Sequence, residues 1–340
     1  MNKKTSLQDA RNAVSRRDLL WGAGVSAFGM ALAGLMQRAE AKPPAQAPGK
    51  TKVFIRQVKE ARLFDLSPVW DENSPIASVN PPYSMMLTAT HANTISQFDG
   101  HLSFTAEEFR PFSGQHGAPS IDAIGHIGRD GKLFGGVDAF AATSNPLGIG
   151  RSGVGAHLDI AHYPTDLLVN RGVLLDVARF IQGDLSPLPG AFEITAKHLA
   201  DTAAAQKVAL EPGDTVLIRT GWGKHFSDDP NLYVGPDSPG PSVDGAQFLV
   251  ANGARVVGND TLTFEKRPPL IFSPTFQIFP VHMLLIADNG INIIENFFLE
   301  ELAAARVYEF LIVVPPLKIR GGTGSALRAF ALAPDVPPKK

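Results

Sequence analysis

Gly213-Asp214-Thr215-Val216-Leu217-Ile218-Arg219-Thr220-Gly221-Trp222 is the stretch whose reading decides the fold. Pro212-Gly213-Asp214 predicts a turn, because Gly reaches backbone angles that other residues avoid and Asp bonds its own backbone. The β-branched run 215–220 that follows predicts a strand. Working upstream, Thr195 is placed to cap a helix over 196–207, rich in Ala and with Leu199 on its inner face. Before it, the apolar run Val173-Leu174-Leu175-Asp176-Val177-Ala178 predicts a strand buried on both faces. Working downstream, Ser242 caps a second helix that Asn252-Gly253 stops. Strands are expected at 255–258, 291–295 and 310–314, with a helix over 299–307, and a first strand at 63–67 runs into a turn. Strands alternate with helices in the second half, while the first half is rich in strands and loops. The pattern predicts one mixed α/β domain.

The N-terminal end reads differently. Lys3, Lys4 and Arg11 make it basic, and Ser15-Arg16-Arg17-Asp18-Leu19-Leu20 resembles a twin-arginine signature. A Gly- and Ala-rich run without charge covers 19–37 after Asp18, and Ala39-Glu40-Ala41 has the small-x-small form of a cleavage site. Residues 1–41 are therefore expected to be an export signal, implying a periplasmic or secreted protein with no stable membrane insertion after cleavage. A retained anchor is the alternative. Residues 42–59 read as a linker, with 42–52 unstructured, residues 60–332 as the domain, and 333–340 as a flexible tail. Without the first 41 residues, 25 Lys and Arg face 30 Asp and Glu. That balance argues against a nucleic-acid partner, which selects a basic face. The chain has no Cys. Thiolate metal sites and a Cys nucleophile are excluded, leaving His, Asp and Glu to hold any metal.

Two clusters suit a divalent metal. In Gln115-His116-Gly117-Ala118-Pro119-Ser120-Ile121-Asp122-Ala123-Ile124-Gly125-His126, Asp122 and His126 are four residues apart and His116 lies six upstream of Asp122. Small neighbours let such a segment bend so that ligands converge. The second cluster is His282, followed by Ile291-Asn292-Ile293-Ile294-Glu295. An isolated Glu at a strand end more often faces solvent, and an isolated His is as often a satisfied core residue. A Glu closing an apolar strand is costly unless paired or bound to metal.

Read together, the chain resembles the cyclase family of metal-dependent hydrolases, which includes kynurenine formamidases and isatin hydrolases. The resemblance rests on 213–222, Arg171-Gly172-Val173-Leu174-Leu175-Asp176-Val177-Ala178, Pro239-Gly240-Pro241, Val257-Gly258-Asn259-Asp260-Thr261, Glu265, His282 through Asn296, and Pro316 through Ser325. It covers roughly 60–332. It implies a swivelling β/β/α fold with a mixed sheet and flanking helices, a dimer or tetramer, and a zinc or manganese ion held by Asp122, His126, His282 and Glu295. The small-molecule substrate implied is an amide, lactam or related acyl compound, attacked by metal-activated water. No other cofactor is implied.

The family motif His-x-Gly-Thr-His-x-Asp-x-Pro-x-His keeps His116, Asp122 and His126 here, but Ser120 replaces its middle His and Ala118-Pro119 its Gly-Thr. A Ser hydroxyl is a poor zinc donor. The His usually found four residues after the motif is replaced by Asp130. His116 and Asp130 are the candidates for catalytic roles. Gln97-Phe98-Asp99-Gly100-His101 has the spacing of a Gln-bearing version of the motif. Gln97, Asp99 and His101 are substitute ligands alongside Ser120, or that segment is a polar turn. Phe98, Phe112, Phe134 and Trp222 suit a pocket wall or the core equally. Gly148-Ile149-Gly150-Arg151-Ser152-Gly153 fits a dinucleotide fingerprint but follows no strand. His157 and His162, on either side of Asp159, read as surface-loop residues. A rival to the hydrolase is an exported binding or scaffold protein with a degenerate metal site.

Overall fold

A computed structural model describes residues 49–76, 84–95, 100–110, 119–143, 153–272 and 274–334. The chain divides into two units, residues 1–55 and 56–340. A helix, α1 (Lys50–Glu60), begins in the first, and none of its side chains is buried. The linker expected over 42–59 is thus helical from Lys50 onward. Its Pro-rich part ends at Pro48, and the residues beyond include good helix formers with an i,i+4 pair between Arg56 and Glu60 at 3.8 Å. Among the described residues no helix is long and apolar enough to cross a membrane.

The second unit is built on a nine-stranded sheet. In chain order its strands are β1 (Arg62–Asp65), β2 (Ser120–Asp122), β3 (Val169–Asp176), β4 (Thr215–Arg219), β5 (Val256–Asn259), β6 (Asn292–Glu295), β7 (Glu309–Val313), β8 (Gly324–Ala326) and β9 (Phe330–Ala333). Across the sheet they run β1-β9-β7-β3-β4-β5-β6-β2-β8. Strands β3 to β6 are parallel. The outer strands pair antiparallel, so the sheet is mixed as expected.

Alternation along the strands buries both faces. Val173, Leu175, Val216, Ile218, Val257 and Ile293 point to one side. There they meet Leu199 of α3 (Ala196–Gln206), Leu249 of α4 (Val243–Ala251), and Leu285 and Ile286. Leu174, Leu217, Val256, Ile294 and Ile121 point to the other side, against Phe64, Phe310, Ile312 and Ala331 from the curled outer strands. Thr195 and Ser242 cap α3 and α4 by accepting from His198 N and Gly245 N. Val177 and Ala178, expected in a strand, open the short helix α2 (Val177–Gln182) instead. The Asp176 carboxylate caps it by accepting from Arg179 N at 3.1 Å.

The C-terminal ends of the parallel strands carry buried charge, with Asp176, Arg219 and Glu295 closing β3, β4 and β6. Arg219 donates to Asp176 Oδ1 at 2.8 Å and to both carboxylate oxygens of Glu300 at 2.9 Å. Glu300 opens α6 (Glu300–Ala305), which follows α5 (Pro280–His282) in the chain. Gly258 on β5 lets the Phe297 ring close under this end; a Cβ there would sit 2.5 Å from the ring.

Candidate metal centre

β2 and β6 bring two distant segments together. Ile121 pairs with Ile294 and Ser120 with Glu295 in the antiparallel ladder. Ile121 and Ile294 face the curled side of the sheet. By alternation, Ser120, Asp122 and Glu295 face the helical side. His282 reaches that side from α5, which runs into a π-helical turn over Met283–Asp288. One ligand atom from each of Asp122, His282 and Glu295 lies within 4.8 Å of the others, and all three residues are buried.

His282 is held from both sides of its ring. Nδ1 lies 2.6 Å from Glu265 Oε1, and Nε2 lies 3.2 Å from Glu295 Oε1 and 3.9 Å from Asp122 Oδ2. Glu265 also accepts from the backbone N–H of His282 at 3.0 Å and of Val281 at 3.3 Å. Its carboxylate thereby fixes the start of α5 and the direction of the ring. A neutral His282 with its proton on Nδ1 turns an Nε2 lone pair toward Asp122 and Glu295. The backbone beside Glu265, beside Glu295 and at the start of α5 takes left-handed conformations. Phe264 precedes Glu265 with φ +47°, Asn296 follows Glu295 with φ +61°, and Phe279 sits at +53° before Pro280. Such conformations persist where the surrounding fold over-determines them. At Asn296 the side chain accepts from Tyr233 Oη at 2.7 Å, and the backbone N–H donates to Thr261 O at 3.0 Å.

The charges in the cluster are unbalanced. Three buried carboxylates, Asp122, Glu265 and Glu295, surround one imidazole. Burial pushes the Asp122 carboxyl up to about 7, partly offset by the His282 charge. Burial also opposes a charged His282, but hydrogen bonds to Glu265 and Glu295 outweigh it and raise the imidazole to about 10. Protons are therefore held where a divalent cation would satisfy the same oxygens. The mixed imidazole and carboxylate donor set suits a divalent first-row metal ion. The residues fit such an ion.

His126 Nε2 lies 4.0 Å from Asp122 Oδ1, at the edge of the cluster, with a quarter of its side chain exposed. Burial and the His282 charge push its imidazole down to about 4, so it is neutral at pH 7. The remaining sequence candidates fall elsewhere. Ser120 is buried directly opposite Glu295. Asp130, a candidate catalytic residue, is exposed at a hairpin tip. It has φ +50° beside Gly131 at +73°, and Arg129 and Lys132 close the turn with paired backbone hydrogen bonds. This Asp-Gly pair makes a surface turn. His101 is exposed too. His116, Gln97, Asp99, Phe98, Phe112 and residues 148–152 lie outside the described residues. Trp222 packs into a core cluster with Phe226, Tyr233 and Leu262. Phe134 lies against Gly290, where a Cβ would meet its ring at 2.7 Å.

Glu265 is the residue whose part in the site the sequence did not reveal. It was visible only as a match to a family block. Its signal is a carboxylate two residues beyond Thr263 in a loop, which carries no periodic pattern. A cavity of about 190 Å³ borders Glu265 and Val281, walled by Pro241, Pro268, Pro269 and Pro280.

Comparison with known proteins gives the family. The Cyclase family model matches residues 64–266. An isatin hydrolase of Roseibium aggregatum is 26% identical over 287 residues, covering 81% of this chain and 93% of its own. The crystal structure of a novel cyclase superposes with a TM-score of 0.69 at 27% identity, covering 84% of this chain and 93% of its own. Isatin hydrolase A from Labrenzia aggregata, bound to benzyl benzoate, gives a TM-score of 0.62 at 20% identity, over 84% of this chain and 99% of its own. The chain belongs to the cyclase family.

Proposed function

We propose that the protein is a metal-dependent hydrolase of a small amide, lactam or related acyl compound, with Asp122, His282 and Glu295 holding the ion. The observation that carries this reading is the buried convergence of two carboxylates on the Nε2 side of His282, with Glu265 on the other side. A divalent ion there lowers the pKa of a water and polarises a carbonyl. Asp122 and Glu295 each offer an oxygen and His282 offers Nε2. Glu265 holds the other His282 proton on Nδ1, so that Nε2 would become the donor once an ion displaced its proton. His126, implied as a ligand by the family resemblance, is assigned to proton transfer instead. It is neutral at pH 7 and stands at the partly exposed edge. An O–C bond forms from water to the acyl carbon, the C–N bond breaks, and the proton from water reaches the leaving nitrogen through His126 Nε2.

The isatin hydrolase relative supports a cyclic amide of the isatin type as a first substrate, with an aryl formamide as the second. The N-terminal signature supports twin-arginine export and a periplasmic or secreted location, and family resemblance supports a homo-dimer or homo-tetramer. The test is hydrolysis of isatin and of an aryl formamide by the zinc- or manganese-loaded protein. Turnover abolished by chelator and by Glu295→Gln supports the reading. A loaded protein that hydrolyses no amide or lactam supports the binding-protein alternative, which the replacement of a ligand-type His by the buried Ser120 favours.

A further inference from the structure

Away from the cluster just described, three polar side chains form a chain along one cavity wall. Asp159 is buried, with one carboxylate oxygen accepting from Gly321 N at 2.6 Å and the other hydrogen-bonded to His162 Nδ1. His162 Nε2 faces His157 Nδ1 at 2.8 Å, with ring centroids 4.4 Å apart and planes at 69°. Both rings are solvent-exposed and line a cavity of about 290 Å³ that also touches Tyr163, Arg255 and Asn292. Asn292 begins β6 while Glu295 ends it, so the cavity lies at the other end of that strand. Ala156 and His157 are both left-handed, with φ +56° and +61°. Two successive non-Gly residues in that region are uncommon, and here they turn the His157 ring toward His162.

The tautomers follow from the partners. The Asp159 carboxylate fixes a proton on His162 Nδ1, which leaves the Nε2 lone pair directed at His157 Nδ1. Two imidazole nitrogens that face each other need something positive between them. In a hydrogen bond it is one shared proton. The same geometry accepts a metal ion, which binds deprotonated imidazole and displaces that proton. Zinc bonds imidazole nitrogen at about 2.0–2.1 Å, so a tetrahedral site needs the two nitrogens roughly 3.3 Å apart. His157 is exposed and has room to swing by that difference. A buried carboxylate behind a ligating His is the arrangement that orients the ring and strengthens it as a donor.

We propose that His157 Nδ1 and His162 Nε2 form a second metal site, with Asp159 as the positioning residue behind His162. The ion is a late first-row divalent cation such as zinc, nickel or copper, because two imidazoles select these over magnesium or calcium. Its remaining coordination positions open toward the cavity and solvent. The site is separate from Asp122, His282 and Glu295 and does not depend on the hydrolase reading.

The test is a zinc titration by calorimetry of the metal-stripped full-length chain, His157→Gly, Asp159→Asn and Asp122→Asn. Glycine suits the left-handed backbone at 157, so that variant removes the ligand without straining the loop. In the unsubstituted protein one zinc-binding event is expected to weaken at least tenfold in His157→Gly. Asp159→Asn weakens the same event roughly 10- to 100-fold. Asp122→Asn leaves it unchanged. Zinc isotherms that are the same for the unsubstituted protein and His157→Gly overturn the proposal, as does an event lost in Asp122→Asn and retained in His157→Gly with no second event present.

Discussion

Glu265 Oε1 lies 2.6 Å from His282 Nδ1, and the same oxygen accepts the His282 backbone N–H at 3.0 Å. One carboxylate thus fixes both the backbone and the ring of the imidazole that faces Asp122 and Glu295. Replacing Glu265 by Gln keeps the shape but removes the charge that holds the Nδ1 proton. Zinc affinity at the Asp122 cluster is expected to fall 10- to 100-fold, the range for partners behind a metal-binding His. Competition with a chelator of known affinity measures it. Affinity unchanged in Glu265→Gln would remove Glu265 from the site.

The metal-free protein is expected to lose stability as pH rises. His282 is raised from 6.5 to about 10 on folding, so its contribution is complete below 6.5 and is lost as pH climbs through 10. Asp122 is raised from 3.8 to about 7, and its contribution is likewise lost as pH rises through 7. His126 acts in the opposite sense, but only between 6.5 and about 4. Melting of the chelator-treated protein between pH 7 and 9 should therefore show Tm falling with pH. Zinc should raise Tm most at the alkaline end, where it no longer competes with these protons. A metal-free Tm that rises across that window contradicts the charge balance described for the cluster.

Ser120 sits across the ladder from Glu295 on the cluster's side of β2. An imidazole at this position points toward Asp122 and Glu295. Ser120→His is expected to tighten zinc binding severalfold or more, while over-filling a buried position costs about 1–3 kcal/mol of stability. Zinc titration and denaturant unfolding check the two effects. Unchanged affinity would mean that the coordination shell is already complete without this position.

Arg219, the last residue of β4, is fully buried and holds Asp176 at the end of β3 and Glu300 at the start of α6. Removing the cation leaves Asp176 with Arg179 at 3.2 Å and Glu300 with Lys224 at 3.5 Å, and both lose their buried partner. Arg219→Ala is expected to destabilise the fold by about 3–5 kcal/mol, read from urea unfolding. A loss below about 1 kcal/mol would show that solvent reaches the pair in the variant.

Much of this architecture was legible from local chemistry. Thr195 and Ser242 announced their helices because a capping oxygen and the helix it starts are adjacent in sequence. The parallel strands showed as short β-branched runs between turns. Val177 and Ala178 were misread because an apolar run carries no period, and the Asp176 cap that turns them into a helix resembles an ordinary polar interruption. Helix α1 was missed because the Pro-rich residues before Lys50 coloured the reading of those after it. At the site, Asp122, His282 and Glu295 stood out by residue type and order. Their convergence depends on pairing β2 with β6, about 170 residues apart, which no local signal specifies. Asp130 matched a motif by position alone, and the structure places it in the turn of an exposed hairpin.

The most direct test of the central claim is anomalous diffraction at the zinc or manganese edge, from crystals of the metal-loaded protein. The account predicts a peak among Asp122 Oδ, His282 Nε2 and a Glu295 carboxylate oxygen, at bonding distance from each. Background-level anomalous density at that point, in crystals grown with excess metal, would contradict it.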